Sequence, residues 1–367
     1  MKKTYSVFKS IFFLAVLTLG SFKESRAQSG TDFWFAPPFV THLHNSPGGV
    51  PIYLLLSSMG SAATVTVSIP ANGGFVPIVV TIPASKSKRI NLSAFQAQLE
   101  TYPTNSILNT GLHITSTAAI TANYEEDNTN NPEDFALKGA NALGTEFYIP
   151  LTNYAGYPNN VFAASSPAFA SFDIVASQNG TVVTIYSPLQ VDGHAALTQF
   201  SITLNAGQTY SCGWTGANYQ LPSTHPAGAA VHSNRPIAIT VKDDSDHNPS
   251  GGCYDLIGDQ IIPTNILGTD YVAVKGFLNN GGAESMFITA TQNNTNIYID
   301  GNPVAIRNMF AGETFQIIID SLPTTNNSIY VRASNPVYAT HVTGFGCEMG
   351  SAILPPLNCA GSHQVNF

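Results

Sequence analysis

The phrase Gly30-Thr31-Asp32-Phe33-Trp34-Phe35 returns as Gly144-Thr145-Glu146-Phe147-Tyr148-Ile149 and again as Gly268-Thr269-Asp270-Tyr271-Val272-Ala273. The steps of 114 and 124 residues predict a chain built from three copies, about 30–143, 144–267 and 268–367. A second phrase keeps the same beat. His113-Ile114-Thr115-Ser116, leading into Ala119-Ile120-Thr121-Ala122, is matched by Val231-His232-Ser233-Asn234-Arg235-Pro236-Ile237 and by Val331-Arg332-Ala333-Ser334-Asn335-Pro336-Val337. Repetition constrains architecture more than chemistry. Copies that carry similar polar and aromatic surfaces suit binding, whereas a catalytic centre needs one asymmetric constellation.

Inside the copies the apolar pattern is that of strands. Ala63-Thr64-Val65-Thr66-Val67-Ser68-Ile69 alternates at period two, as do Thr181-Val182-Val183-Thr184-Ile185 and Asn296-Ile297-Tyr298-Ile299. The runs stop at turn-forming residues such as Gln178-Asn179-Gly180 and Ser233-Asn234-Arg235-Pro236. The expected fold class is therefore all-β. Hairpins anchored at Leu55, Ile114, Ile174, Val231, Ile288 and Val331 suggest a finer period of about 57 residues, room for four short strands. That predicts a six-bladed β-propeller-like ring of short antiparallel sheets. The alternative pools each large copy into one seven-stranded sandwich, giving three tandem β-sandwiches.

Lys2 and Lys3, the apolar run from Ile11 to Leu19, and Ser25-Arg26-Ala27 have the order of a secretory signal peptide over residues 1–27. The apolar run is too short to span a bilayer, which takes roughly 20 residues. Cleavage would remove Lys2, Lys3, Lys9, Lys23, Arg26 and Glu24, moving the formal charge from −8 to −12. Nucleic acid is excluded as a partner on that balance, because phosphate binding needs clustered Lys and Arg. No later stretch is apolar enough for membrane insertion. Export to the medium or the cell surface would place the four cysteines in an oxidising compartment. Cys347 with Cys359 closes a short loop, which leaves Cys212 for Cys253.

The densest carboxylate cluster is Asp243-Asp244-Ser245-Asp246-His247-Asn248, followed by Asp255 and Asp259. Asp244, Asp246 and Asn248 at alternate positions, with Asp255 at the twelfth, have the rhythm of a calcium loop, although Pro249 stands where the turn glycine belongs. Calcium is thus the one candidate cofactor, and a solvated loop is the competing reading. The matching place in the first copy is also acidic (Glu125, Glu126, Asp127, Glu133, Asp134); in the third it reads Thr343-Gly344-Phe345-Gly346. His42-x-His44 is a weaker metal pair. Gly-x-Ser-x-Gly, His-Glu-x-x-His, phosphate-loop and dinucleotide fingerprints do not occur, so no catalytic residue is assigned. The aromatic residues that open each copy are expected to pack in a core.

Gly144-Thr145-Glu146-Phe147-Tyr148, Ser233-Asn234-Arg235-Pro236-Ile237, Gly258-Asp259-Gln260-Ile261-Ile262-Pro263 and Gly344-Phe345-Gly346-Cys347-Glu348 followed by Leu354-Pro355-Pro356, in this order, resemble the N-terminal domain of the IgG Fc-binding protein family. The resemblance covers about residues 30–367 and is closest to the secreted or cell-surface type of Bacteroidetes-like bacteria. It implies an extracellular binding or adhesion module for protein or glycan. No Fc-contact residue can be placed on this sequence, and it shows no sorting module before Phe367. Ser362-His363-Gln364-Val365-Asn366-Phe367 reads like the opening of a further copy. Two rivals remain at this level. One is a secreted polysaccharide hydrolase with Asp246 and Asp259 as paired carboxylates; the other is a spacer without ligand.

Overall fold

The computed structural model describes residues 29–41, 51–127, 132–152, 168–216, 224–247, 254–278, 284–319, 327–346 and 348–358. The expected signal peptide (residues 1–27), His42, His44, Asn248, Cys253, Cys347, Cys359 and the closing phrase from Ser362 lie outside the described residues.

Short apolar runs punctuated by turns give strands and almost no helix. The first unit contains β1 (Gly30–Phe35), β2 (Ile52–Ser58), β3 (Ala63–Ser68), β4 (Ile78–Ile82), β5 (Ser87–Asn91), β6 (Ile107–Leu108), β7 (Leu112–Glu126) and β8 (Glu133–Leu137). The second contains β9 (Gly144–Tyr148), β10 (Ala170–Ala176), β11 (Thr181–Ser187), β12 (Thr198–Leu204), β13 (Thr209–Gly213), β14 (Ala230–His247) and β15 (Tyr254–Gln260). The third contains β16 (Gly268–Val274), β17 (Phe277–Leu278), β18 (Ser285–Ala290), β19 (Thr295–Ile299), β20 (Arg307–Met309), β21 (Thr314–Ile318), β22 (Ser328–Gly346) and β23 (Glu348–Ile353).

These strands form three sheets among the described residues, in the orders β4-β3-β7-β2-β5, β12-β11-β14-β10-β13-β6 and β20-β19-β22-β18-β21. The protein is all-β, but its strands group by the large copies, apart from β6 of the first copy, which pairs with β13 of the second, and not into six four-stranded blades. The finer period does have a structural source. Its anchors fall on β2 and β7, β10 and β14, β18 and β22, which are direct neighbours within one sheet. Each long strand serves two halves of its sheet. The first half of β14 pairs with β9 and β11 and the second half with β10 and β15; β7 and β22 divide in the same way.

What the sequence presents as a hairpin turn is a sidestep within a continuous strand. The pairing of β9 jumps from Glu146↔His232 to Gly144↔Ile237, and the same jump occurs at Gly30/Asp32 and Gly268/Asp270. Pro236 and Pro336 sit in these excursions, where no ladder donor is required. A polar side chain in the sidestep caps a strand N–H in each unit. Thr117 Oγ1 accepts from Thr64 N at 2.9 Å, Asn234 Oδ1 from Val182 N at 2.8 Å and Ser334 Oγ from Asn296 N at 2.9 Å.

The opening phrase is equally physical. Phe33, Phe35, Phe147 and Tyr271 are buried on the inner faces of their sheets, as expected for core residues. A Cβ on Gly144 would come within 2.2 Å of the Pro263 ring, and one on Gly268 within 2.3 Å of the Pro356 ring, so the glycine backbone at the strand start packs directly on a proline at the unit end. The acid of the phrase makes a cross-strand polar contact in every unit: Asp32 with His113 at 3.0 Å, Glu146 with His232 at 2.8 Å, and Asp270 with Tyr330. Trp34 stacks on His113 at 3.9 Å.

Successive units meet through a recurring close approach. Gly111 N donates to Gly207 O at 3.1 Å, and at the next junction a Cβ on Gly228 would lie 2.0 Å from Gly312 O. By strand register, Ser85 occupies the place of Gly207 and Gly312 in the first unit. Ser328 occupies that of Gly111 and Gly228 in the third. Gly228 has φ +75°, so alanine there adds backbone strain to a steric clash. Gly228→Ala should destabilise the fold by about 3 kcal/mol or more, while Ser328→Gly stays within about 1 kcal/mol, read from chemical denaturation.

Candidate functional site

The hairpin of β14 and β15 carries most of the acidic cluster and lies at the centre of the three units. Residues 241–244 are buried in succession, so both faces of β14 are covered there. Asp244 Oδ2 accepts from Thr41 N of the first unit at 2.8 Å and lies 3.8 Å from Lys242 Nζ. Lys242 itself donates to Phe169 O at 2.7 Å and stands 3.8 Å over the Phe169 ring, an aromatic contact that helps a buried ammonium. Asp243 Oδ2 is 3.4 Å from His225 Nδ1, and Asp246 Oδ2 accepts from Thr152 Oγ1 at 3.1 Å.

On β15, Asp255 and Asp259 are four residues apart and therefore share a face. They engage two N–H groups, also four residues apart, on β23. Asp255 Oδ2 accepts from Met349 N at 3.0 Å and Asp259 Oδ2 from Ile353 N at 2.9 Å. Asp259 Oδ1 meets Lys138 Nζ of the first unit at 2.5 Å. Gln260 completes the bridge, accepting from Lys138 N and donating to Trp34 O, both at 2.7 Å. Carboxylates thus occupy the edge of β23, the position a further strand would take.

This geometry locates each acidic residue singled out in the sequence. Asp244, Asp246 and Asp255 lie on two paired strands, with Asp246 opposite Asp255, and not on one turning loop. Asn248 is outside the described residues, and among those described no group of three or more His, Cys, Asp or Glu has metal-binding geometry. Asp246 pairs with Asp255, four positions from Asp259 on β15, which places the two residues about 13 Å apart along the strand. Glycosidase pairs lie about 5–9.5 Å apart. Cys212 is a free cysteine buried in the core of the second unit, and its expected partner Cys253 lies outside the described residues. Facing Phe172 on β10, Cys212 fills a core position as a small apolar side chain. Both members of the Cys347–Cys359 pair are outside the described residues.

The acidic stretch of the first unit, in contrast, opens onto a cleft of about 550 Å³ between the first and third units. One wall presents Arg89, Glu125, Asp127 and Asp134; the other presents Thr343, Gly344, Gly350 and Ser351. Strand pairing assembles the acidic wall, because Glu125 lies opposite Asp134 and Tyr53. Arg89 reaches Glu125 at 2.7 Å and Asp127 at 2.6 Å, with its guanidinium 3.6 Å over the Tyr53 ring. Asn123 donates to Asp134 at 2.8 Å. Burial raises the Asp134 carboxyl above its usual range, and burial together with nearby Asp259 pushes Glu133 up further. The sequence alone marked this stretch as acidic; the opposite wall carried no signal beyond its glycines.

A model of the IgG Fc-binding protein family matches residues 133–366, from the first residue of β8 through the second and third units. The chain belongs to the IgG Fc-binding protein family. The match covers most of the chain, including the buried acidic hairpin and the uncharged wall of the cleft, while the Arg89–Glu125–Asp127 cluster precedes it. No curated protein matches the chain. Among solved structures, a chain of a 1.5-MDa bacterial ice-binding adhesin aligns at 11% identity, covering 83% of this chain and 90% of that one with a TM-score of 0.13. The FN1–FN3 domains of chicken CNTN1 align at 9% identity over 83% and 94%, with a TM-score of 0.11. At such scores neither likeness establishes a shared fold.

Two outcomes follow from the buried groups. Removing one partner of the Lys138–Asp259 pair leaves the other charged in a dry interior, so Asp259→Asn should cost about 3–5 kcal/mol in chemical denaturation. Adding Lys138→Met should recover part of that loss. Separately, burial raises Glu100 and Asp173 to about 7 from 4.5 and 3.8. Such acids favour the fold while protonated, so their contribution is complete below about pH 4 and is lost as pH rises through 7. The melting temperature at pH 5 should therefore exceed that at pH 8, and Glu100→Gln should flatten the difference.

Proposed function

We propose that the chain is an extracellular binding module, exported by residues 1–27, that contacts protein or glycan on a cell or matrix surface. The family match supports a binding role, since the family takes its name from binding a protein. The observation that carries the reading is the cleft between the first and third units, where ionisable side chains of one unit face an uncharged, small-residue wall of another. In this reading, loops and strand ends displayed by a rigid scaffold carry the function. No helix among the described residues is long and apolar enough to cross a membrane.

The test is an interferometry screen of the mature protein against immobilised extracellular proteins and glycans. Saturable binding to at least one of them is expected. The absence of saturable binding to every surface would favour a spacer. Turnover of labelled polysaccharide that survives dialysis against chelator and is lost in a carboxylate variant would replace binding by hydrolysis.

A further inference from the structure

The cleft wall of the first unit carries an excess of negative charge. Glu125, Asp127 and Asp134 share Arg89, the single cation of the lining among the described residues, which is already engaged by two of them and by the Tyr53 ring. Glu126 also belongs to the lining, is 1% exposed, and its Oε1 has no hydrogen-bond partner among the described residues. The facing wall repels nothing: Thr343, Gly344, Gly350 and Ser351 are small and uncharged, and the glycines let a ligand approach backbone. Directly after Gly344 the strand continues into Phe345, which pairs in parallel with Phe277 across β22 and β17. The two rings are 76% and 75% exposed, an unusual cost for neighbouring aromatic side chains on a monomer surface.

We propose that this cleft takes a basic segment of a partner protein, with Lys or Arg head groups against Glu125, Asp127 and Asp134 and their aliphatic stems against Phe345 and Phe277. The proposal rests on the binding-module reading and names the partner's chemistry. Charged heads on apolar stems match an acidic surface that has exposed rings starting one residue beyond its lining residue Gly344. Ring faces attract cations as well. Formal charge of −8 for the whole chain adds long-range attraction for a cationic segment and opposes anionic glycans. Burial disfavours the ionised forms of Glu133 and Asp134, and a cation bound beside them would favour ionisation.

The experiment is a fluorescence-anisotropy titration of the full mature chain with a fluorescein-labelled decapeptide of alternating Lys and Arg, beside a Glu decapeptide of equal length. Saturable binding of the basic peptide alone is expected, weakening with salt. Glu125→Gln with Asp134→Asn should weaken it about tenfold or more. Asp32→Asn with Glu146→Gln removes the same two charges from exposed sites elsewhere and should leave it unchanged. Ser351→Arg, which puts a cation in the cleft without touching its acids, should weaken binding too, and gives a reading even if the first variant misfolds. Equal losses in the cleft and control pairs would show a general field effect and overturn the proposal. So would failure of the basic peptide to bind, or a neutral glycan that binds and is lost with Ser351→Arg. If the basic peptide fails while some surface in the interferometry screen still binds, the binding-module reading stands and only the cationic partner falls.

Discussion

The arrangement of the three units depends on the carboxylates of β15. An edge strand buried inside a protein must satisfy its outward N–H groups, and β23 does so through Asp255 and Asp259 of the neighbouring unit. The same Asp259 holds Lys138 from the opposite side, and Gln260 ties the first unit's backbone at two points. One strand therefore organises contacts to both neighbours, with charge-assisted hydrogen bonds that depend on the absence of water. Loss of any one partner would strand a charge or a donor in the interior, which is why the units cannot slide past one another freely.

Much of the fold was legible because strand periodicity and local turn chemistry agree. Alternation in residues 63–69 and 181–185 identified β3 and β11, and the Gly-Thr phrase marked β1, β9 and β16. The long strands were not legible. Ser233-Asn234-Arg235-Pro236 has the composition of a turn, and nothing local distinguishes a chain that folds back from one that steps aside and continues. Only the pairing of β9 with both flanks of the sidestep reveals the second case. That one ambiguity separates six small blades from three large sheets.

The acidic residues show a similar division. Sequence located Asp244, Asp246, Asp255 and Asp259 as a cluster, but it offered no view of burial. Residues 241–244 lack an inside–outside alternation because other units cover the outer face of β14, so a buried strand end reads like a solvated loop. Where the first unit has Glu125 and Asp134, the same composition meets a cleft and not a neighbour's backbone. Composition was shared; the number of neighbouring units decided the role. Cys212 follows the same logic, since export chemistry suggests a bridge while its place in a packed core suits a free thiol.

The glycine contacts between units give the assembly a direction. Gly111 and Gly228 approach the next unit, Gly207 and Gly312 receive the previous one, and Ser85 and Ser328 stand where those roles have no counterpart among the three sheets. Equivalent folds are therefore not interchangeable parts. A rearranged chain in which the third unit preceded the second would drive the Ser328 side chain into backbone that only hydrogen can approach. Unit order is thus written into two residue positions per copy, and evolution by shuffling whole units would have to change those positions first.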